Sequence, residues 1–267
     1  MFRAKAETSQ ETLPVFDMPS TEIPVVVSPV LSVVIPVYNE AATIIPLLEA
    51  VCATPIAKQI IVVDDGSRDA TVSLIEDWRS QHVEHSIELL AHAANRGKGA
   101  AIRTGIEAVR GTVTIVQDAD LEYDPNDYAA LVEPILSGQA DVVFGSRYMN
   151  RQNYLPWTPN RVCVHLLNLI VRLLYWQKTT DEATCYKLFR STLLPKFDLK
   201  CQRFEFCPEV TAKICRMGIR IHEIPIRYNP RTKKEGKKIG WRDGVQAISS
   251  LVYWRFARFR PDRAASN

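Results

Sequence analysis

Four carboxylates, Asp118, Asp120, Glu122 and Asp124, fall within seven positions directly after the apolar run "TVTIV". Like charges this close disfavour one another's ionisation. Hard oxygen donors converging at the end of a strand suit a divalent cation, Mg²⁺ or Mn²⁺, which offsets that repulsion. Asp118 and Asp120, one residue apart, can both reach a metal from a strand-to-loop transition, with Glu122 as a third ligand. "YDPND" reads as a helix start, so capping accounts for Asp124 and Asp127. The calcium-loop pattern fails because no glycine follows at the required place.

Other polar residues extend this chemistry. In "VVDDGSRDAT" Ser67 and Asp69 suit a turn and a helix cap. Asp65 is the better functional candidate, as an acceptor for a base or ribose. "NRGKGAAIRTG" looks like a dinucleotide fingerprint, but Ile102 stands where Gly or Ala is needed, and no GKS or GKT triplet follows. Gly97 and Gly99 then serve a turn and close packing at a helix start. Arg147, Arg161, Arg231, Lys237 and Lys238 fall at element ends or in the basic loop "RTKKEGKKIG". Alone, such a loop is a solvated surface. Beside a metal, these cations suit a diphosphate leaving group and an anionic acceptor.

The elements that must position these groups are legible as alternation. Apolar runs at "LSVVIPVYNE", "KQIIVVDD", "SIELLAH", "TVTIVQDAD" and "ADVVFGSRY" alternate with helical patterns, such as "AATIIPLLEAVC" and "PNDYAALVEPIL". Strands apolar throughout, alternating with helices, predict an α/β fold with a parallel sheet covered on both faces. Ligands then bind outside the carboxyl ends of the strands. This topology gathers Tyr38–Glu40, Asp64–Asp65, Asp118–Glu122 and Ser146–Arg147 on one edge.

Residues 1–28 are polar and punctuated by proline, which predicts a disordered or loosely docked arm. The main domain is expected over 29–240, with 29–150 holding the donor and metal and 151–240 the acceptor half and the basic loop. In "RVCVHLLNLIVRLLYW" the polar residues Arg161, His165, Asn168 and Arg172 form one narrow helical stripe, so the rest is core-buried or dipped into a membrane surface. Residues 241–267 read as an amphipathic basic helix and tail. It suits either anionic lipid or docking on the core. From Arg227 onward eleven Lys or Arg face three acids, yet the net charge is only +3, which does not mark a nucleic-acid binder. Six scattered cysteines without a CxxC pair suit reduced, buried thiols in a cytosolic protein. No signal peptide or membrane span is read, so the chain is expected to be soluble or peripheral.

The motifs "VVIPVYNE", "IIVVDDGSRDAT", "NRGKGAAIRTG", "QDADLEYDP" and "GSRY" occur in order, followed by "TDEATCYKLFR", "QRFEFCPEVTAK" and "RTKKEGKKIGWRDG". From about Leu31 to Gly244 the chain resembles glycosyltransferase family 2, of the dolichyl-phosphate mannose synthase type. The resemblance implies a GT-A, Rossmann-like, mostly parallel sheet flanked by helices. It implies inverting transfer of a hexose from a nucleotide sugar to a polyprenyl phosphate, at the cytoplasmic membrane face. The first expectation is mannose from GDP-mannose, with UDP-glucose next. By position, Pro36, Tyr38 and Glu40 border the nucleotide, with Val63 and Asp65 at the base. Asp118 and Asp120 hold Mg²⁺ or Mn²⁺, Ala119 lies against the nucleotide, and Glu122 stands where the synthases often have Gln. Arg147 and Arg161 hold the lipid phosphate. Arg231 and either Lys237 or Lys238 close over the diphosphate. The lipid-phosphate oxygen is already anionic, so no general base is required. Many relatives carry C-terminal spans, so a separate membrane-embedded partner subunit is a further expectation.

Two other readings compete. A saccharide acceptor would need a base, for which Glu205 or Glu209 could serve. A non-catalytic nucleotide-sugar-binding subunit would not need the intact metal motif and basic loop.

Overall fold

The computed structural model describes residues 29–153, 158–231 and 241–261. The expected arm over 1–28, Lys237, Lys238 and the end of the tail lie outside them. The chain order is β1 (Leu31–Val37), α1 (Ile44–Ala53), β2 (Lys58–Asp64), α2 (Thr71–Gln81), β3 (Ile87–Ala91), α3 (Lys98–Glu107), β4 (Val113–Val116), α4 (Tyr128–Leu136) and β5 (Val142–Ser146). Then come α5 (Pro159–Tyr175), β6 (Lys187–Arg190), α6 (Leu194–Phe197), α7 (Phe206–Arg216), β7 (Ile221–Pro225) and α8 (Trp241–Phe256).

Among the described residues the strands form one seven-stranded sheet, ordered β3-β2-β1-β4-β6-β5-β7. It is mostly parallel, but β6 runs antiparallel to both β4 and β5. The sequence pattern predicted parallel pairing and did not reveal this inserted strand. Because β6 reverses direction between them, β4 and β5 still end on the same edge as β1 and β2.

Burial explains the apolar runs. Val33 and Ile35 of β1 join the larger core cluster on one face, while Val34 packs with Ile61, Val63 and Ala101 on the other. α1 buries Ile44, Leu47, Leu48 and Val51, the i, i+3, i+4, i+7 face of a helix against a core. α3 covers the second face closely: a Cβ on Gly105 would lie 2.5 Å from Val34 Cγ1. Pro36 is tolerated in a central strand because β1 pairs with β4 only as far as Val34, while its pairing with β2 continues to Val37. Pro36 therefore removes no ladder bond on the β4 side.

α5, α7 and α8 build a second cluster in which Leu167, Val171 and Tyr175 meet Ala212 and Leu251. The Tyr175 hydroxyl donates to the Leu251 carbonyl at 2.6 Å. α8 thus docks on the core, while Val252, Tyr253 and Phe256 stay exposed.

Candidate active site

The strand ends are first tied to one another. Asn39 adopts a left-handed φ of 54° after β1. Its amide donates to Ser67 Oγ, and its side-chain oxygen accepts from the Arg68 amide. Asp64, not Ser67, makes the turn after β2, accepting from the Gly66 and Ser67 amides. Asp69 accepts from the Thr71 amide at 3.0 Å and so steadies the start of α2. Asp124 caps the turn before α4 by accepting from the Asn126 amide. Asp127, expected as a cap, instead accepts from the Arg227 amide and side chain.

Above these ends lies a cavity of about 390 Å³. Of the residues singled out from sequence, Pro36, Tyr38, Glu40, Asp65, Asp118, Ala119, Asp120, Glu122 and Arg231 line it. Val63 does not: it is fully buried in the sheet against Val34 and Ala101. Six lining residues were missed: the apolar Val37 and Ala101, and Asn95, Lys98, Arg203 and Phe204.

Lys98 is the most consequential of these. Its Nζ lies 2.5 Å from Asp118 Oδ1. Burial is the largest single influence and works against its charge, but Asp118, Cys185 and Cys207 together push the lysine pKa up. Its position at the first turn of α3, behind a glycine, was the available signal. Gly97 has a φ of 99°, and a Cβ there would collide with the Gln202 carbonyl. The Gly97, Gly99 and Ala100 amides donate to Asp65, the Arg203 carbonyl and the Gln202 carbonyl. These three amides are taken, so the glycine turn positions Asp65, Lys98 and the Arg203–Phe204 segment. Gly97→Ala is expected to destabilise the protein by more than about 2 kcal/mol, from the positive φ and the backbone clash together. Urea unfolding measures it; a loss below half that would contradict the tight packing of this turn.

Asp120 pairs with one cation, Arg231. Arg231 Nη2 lies 3.1 Å from Asp120 Oδ2 and Arg231 Nη1 lies 3.9 Å from Glu40 Oε2. Burial, then Asp118 and Glu122, push the Asp120 carboxyl up to about 6, against a smaller opposing pull from Arg231. That deficit of positive charge is what a divalent cation would fill. Asp118 and Asp120 offer hard oxygens that fit Mg²⁺ or Mn²⁺, which commonly take one or two carboxylates and complete their shell with phosphates and water. Among the described residues no group of three His, Cys, Asp or Glu is arranged to hold a metal. Glu122 also makes protein contacts: Oε2 accepts from the Tyr228 hydroxyl at 2.7 Å and Oε1 from the Arg231 amide at 2.9 Å. It fastens the segment after β7 to the acidic turn. Leu121 beside it takes a φ of 59°, uncommon for a bulky residue.

Arg147 and Arg161 meet away from this cavity. Their guanidinium carbons lie 5.8 and 5.6 Å from the centre of the Tyr148 ring. Arg147 is also ringed by Tyr123 and Tyr228 and makes two 2.7 Å bonds to Asp181, whose side chain is fully buried. Burial opposes its charge, but Asp181 holds the cation firmly.

The described geometry has counterparts. Glycosyl transferase family 2 matches residues 32–197. A dodecaprenyl-phosphate galacturonate synthase of Rhizobium johnstonii is 26% identical over 235 residues, covering 85% of this chain and 68% of the relative. An undecaprenyl-phosphate 4-deoxy-4-formamido-L-arabinose transferase of Pseudomonas fluorescens is 31% identical over 211 residues, covering 78% and 59%. The chain thus spans about 59% to 68% of the length of these relatives. Among solved structures, glucosyl-3-phosphoglycerate synthase from Mycobacterium tuberculosis, in complex with Mn²⁺, UDP and phosphoglyceric acid, aligns with a TM-score of 0.64. It is 18% identical, with 86% of this chain and 80% of that one covered, a likeness of fold. The fold is GT-A-like, and with the family match spanning well over half of its 267 residues the chain belongs to glycosyl transferase family 2.

Proposed function

We propose that this protein is an inverting, divalent-cation-assisted glycosyltransferase that moves a sugar from a nucleotide sugar to a polyprenyl phosphate at a membrane surface. The observation that carries the reading is the cavity in which Asp65, after β2, and Asp118 and Asp120, after β4, meet Lys98 and Arg231. Such a cavity suits a nucleoside at one end and a diphosphate at the other. Bound at Asp118 and Asp120, Mg²⁺ or Mn²⁺ would neutralise charge on the leaving diphosphate. Lys98 and Arg231 add fixed positive charge on either side of the carboxylates, placed before the reaction begins.

The acceptor class rests on two supports. Both named relatives are prenyl-phosphate enzymes. The carboxylates that would serve a saccharide acceptor as base are otherwise occupied. Glu209 is buried, paired with Lys213 and bonded to the Lys200 amide. Glu205 accepts from the Arg203 amide and from Gln246. A phosphate oxygen needs no base, and Arg147 and Arg161 around Tyr148 would orient it. The expectation of mannose draws no support from the relatives, whose names carry galacturonate and a modified arabinose. A comparison of acceptors tests this part: a short prenyl phosphate is expected to be glycosylated, while the matching prenol and free sugars are not. Equal use of a free sugar would overturn the acceptor class.

The bilayer contact rests on α5. Val162, Leu166, Leu169, Leu173 and Trp176 are exposed along one helical stripe, and Arg255 of α8 lies 5.8 Å from the Trp176 ring. Arg172 and Arg258 are exposed nearby in sequence. Apolar residues bordered by arginines suit an anionic bilayer surface. Among the described residues no helix is long and apolar enough to cross a membrane. Leu169→Glu with Leu173→Glu is expected to lower co-sedimentation with anionic vesicles at least tenfold and leave the fold intact. Unchanged vesicle binding by the folded variant would remove this surface from the account.

A further inference from the structure

Lys98 does more than add charge to the cavity wall. Its Nζ lies 2.5 Å from Asp118 Oδ1, and among the described residues no second carboxylate comes within ion-pair distance of it. The Cys185 thiol follows at 4.0 Å. Arg231 is tied differently. Its guanidinium reaches Asp120 and Glu40, and its amide donates to Glu122. Three carboxylates hold Arg231, while one holds Lys98. The backbone around Lys98 is fixed, since the Gly97, Gly99 and Ala100 amides all donate to protein acceptors. What can move is the side chain, a compact charge on a flexible four-carbon stem. Both members of the pair reach solvent, with side-chain exposures of 25% for Lys98 and 19% for Asp118.

The charge of the cavity decides what this ion pair does. Five carboxylates line it against Lys98, Arg203 and Arg231, a net charge of −2 among the described residues. Such a surface repels a diphosphate until a divalent cation neutralises it. Lys98 stands in the way of that cation, because an ammonium bonded to Asp118 disfavours further positive charge on the same carboxylate. A lysine neutralised by Asp118 in turn offers a diphosphate little attraction. We propose that Lys98 is an exchangeable counter-ion, which holds Asp118 while no metal is bound, yields that carboxylate to the divalent cation, and turns its ammonium to the diphosphate. The proposal rests on the metal and diphosphate reading of this cavity. Lys98 then opposes loading of the metal alone and favours loading of metal and donor together. By linkage, metal and donor each raise the affinity of the other by the same factor. A lysine needed only to hold Asp118 in position for the metal predicts the opposite sign.

Calorimetric binding of Mn²⁺ alone to the full chain tests that sign. Lys98→Met is expected to bind Mn²⁺ more tightly than the parent, by about tenfold or more. Lys98→Gln retains a hydrogen-bond donor for Asp118 without the charge and is expected to show the same gain, so it carries the test if the methionine variant does not fold. Lys98→Arg keeps the charge and is expected to stay within about twofold of the parent. A second readout is the affinity for UDP or GDP, whichever the parent binds, in chelator and in saturating Mn²⁺. The factor by which Mn²⁺ raises that affinity is expected to be smaller in the neutral variants, by about fivefold or more. Mn²⁺ binding unchanged or weakened in the folded neutral variants, or an unchanged factor, would overturn the exchange and leave the cavity's general reading standing. Absence of Mn²⁺ binding from the parent and every variant, with and without nucleotide, would overturn both.

Discussion

Asp120→Asn is expected to cut sugar transfer by about 10²–10³-fold, the usual cost of removing one electrostatic contact to a developing charge. It is also expected to make the metal-free protein more stable at neutral pH. The second effect follows from the Asp120 carboxyl being pushed up to about 6 by burial and by Asp118 and Glu122. Its unfolded value is about 3.9. A raised carboxyl means that the ionised form costs stability in the folded state. Below about pH 4 both states are protonated and no cost exists. Between about pH 4 and 6 the cost grows, and above 6 it is fully present. Two pH units correspond to roughly 2–3 kcal/mol. The stability gain of the variant in chelator should therefore be largest at pH 7.5 and vanish near pH 4. Added Mn²⁺ should stabilise the parent at pH 7.5 and leave the variant unmoved. A variant less stable than the parent at pH 7.5 in chelator would contradict this charge balance.

Asp181→Ala is expected to have the largest effect on folding, a loss of about 3–5 kcal/mol. It leaves the Arg147 guanidinium, with its side chain only 13% exposed, without the carboxylate that makes two 2.7 Å bonds to it. The Tyr123, Tyr148 and Tyr228 rings remain, but a cation–π contact offsets only a fraction of that loss. Replacing both partners with apolar groups, Arg147→Met with Asp181→Leu, should restore most of the stability, since a buried ion pair contributes little net. The double variant should still fail to transfer sugar if Arg147 orients the acceptor. Denaturation and transfer assays on the same preparations separate the two roles. A stable double variant with full transfer would show that Arg147 is structural only.

The strands were legible because each is an apolar run followed at once by polar residues. β1, β2, β4 and β5 all have this form, and their parallel direction places Asp65, Asp118 and Arg147 on one edge. β6 was not legible. It has four residues, two of them charged, and Lys187 hides its charge by donating to the Glu182 carbonyl while its Nζ sits 3.7 Å from the Phe144 ring centre. Neither length nor periodicity reveals that such a strand inserts antiparallel between two others. The acidic pair was legible from its own spacing. Lys98 was not, because its partner Asp118 is twenty residues away and the contact exists only once α3 lies over β1 and β2. His92 carried no motif at all, and its two contacts, to Asp65 and Thr104, are both long-range. Glu122 has the right type and spacing for a metal ligand, and each of its oxygens also accepts one hydrogen bond from a segment more than a hundred residues later, which no local pattern announces. The α8 pattern supported two readings, anionic lipid or docking on the core; the structure docks the helix through buried Leu251 and leaves Tyr253 and Phe256 facing outward.

The most direct test of the central claim is a partition assay on the purified full chain. Labelled nucleotide sugars would be incubated singly with a polyprenyl phosphate and Mn²⁺ or Mg²⁺, and the label followed into an organic phase. Extractable label is predicted from at least one donor, lost on adding chelator, on omitting the lipid phosphate, or with Asp120→Asn. Transfer undiminished by chelator, or no transfer from any donor by protein that binds nucleoside diphosphate, would contradict the account.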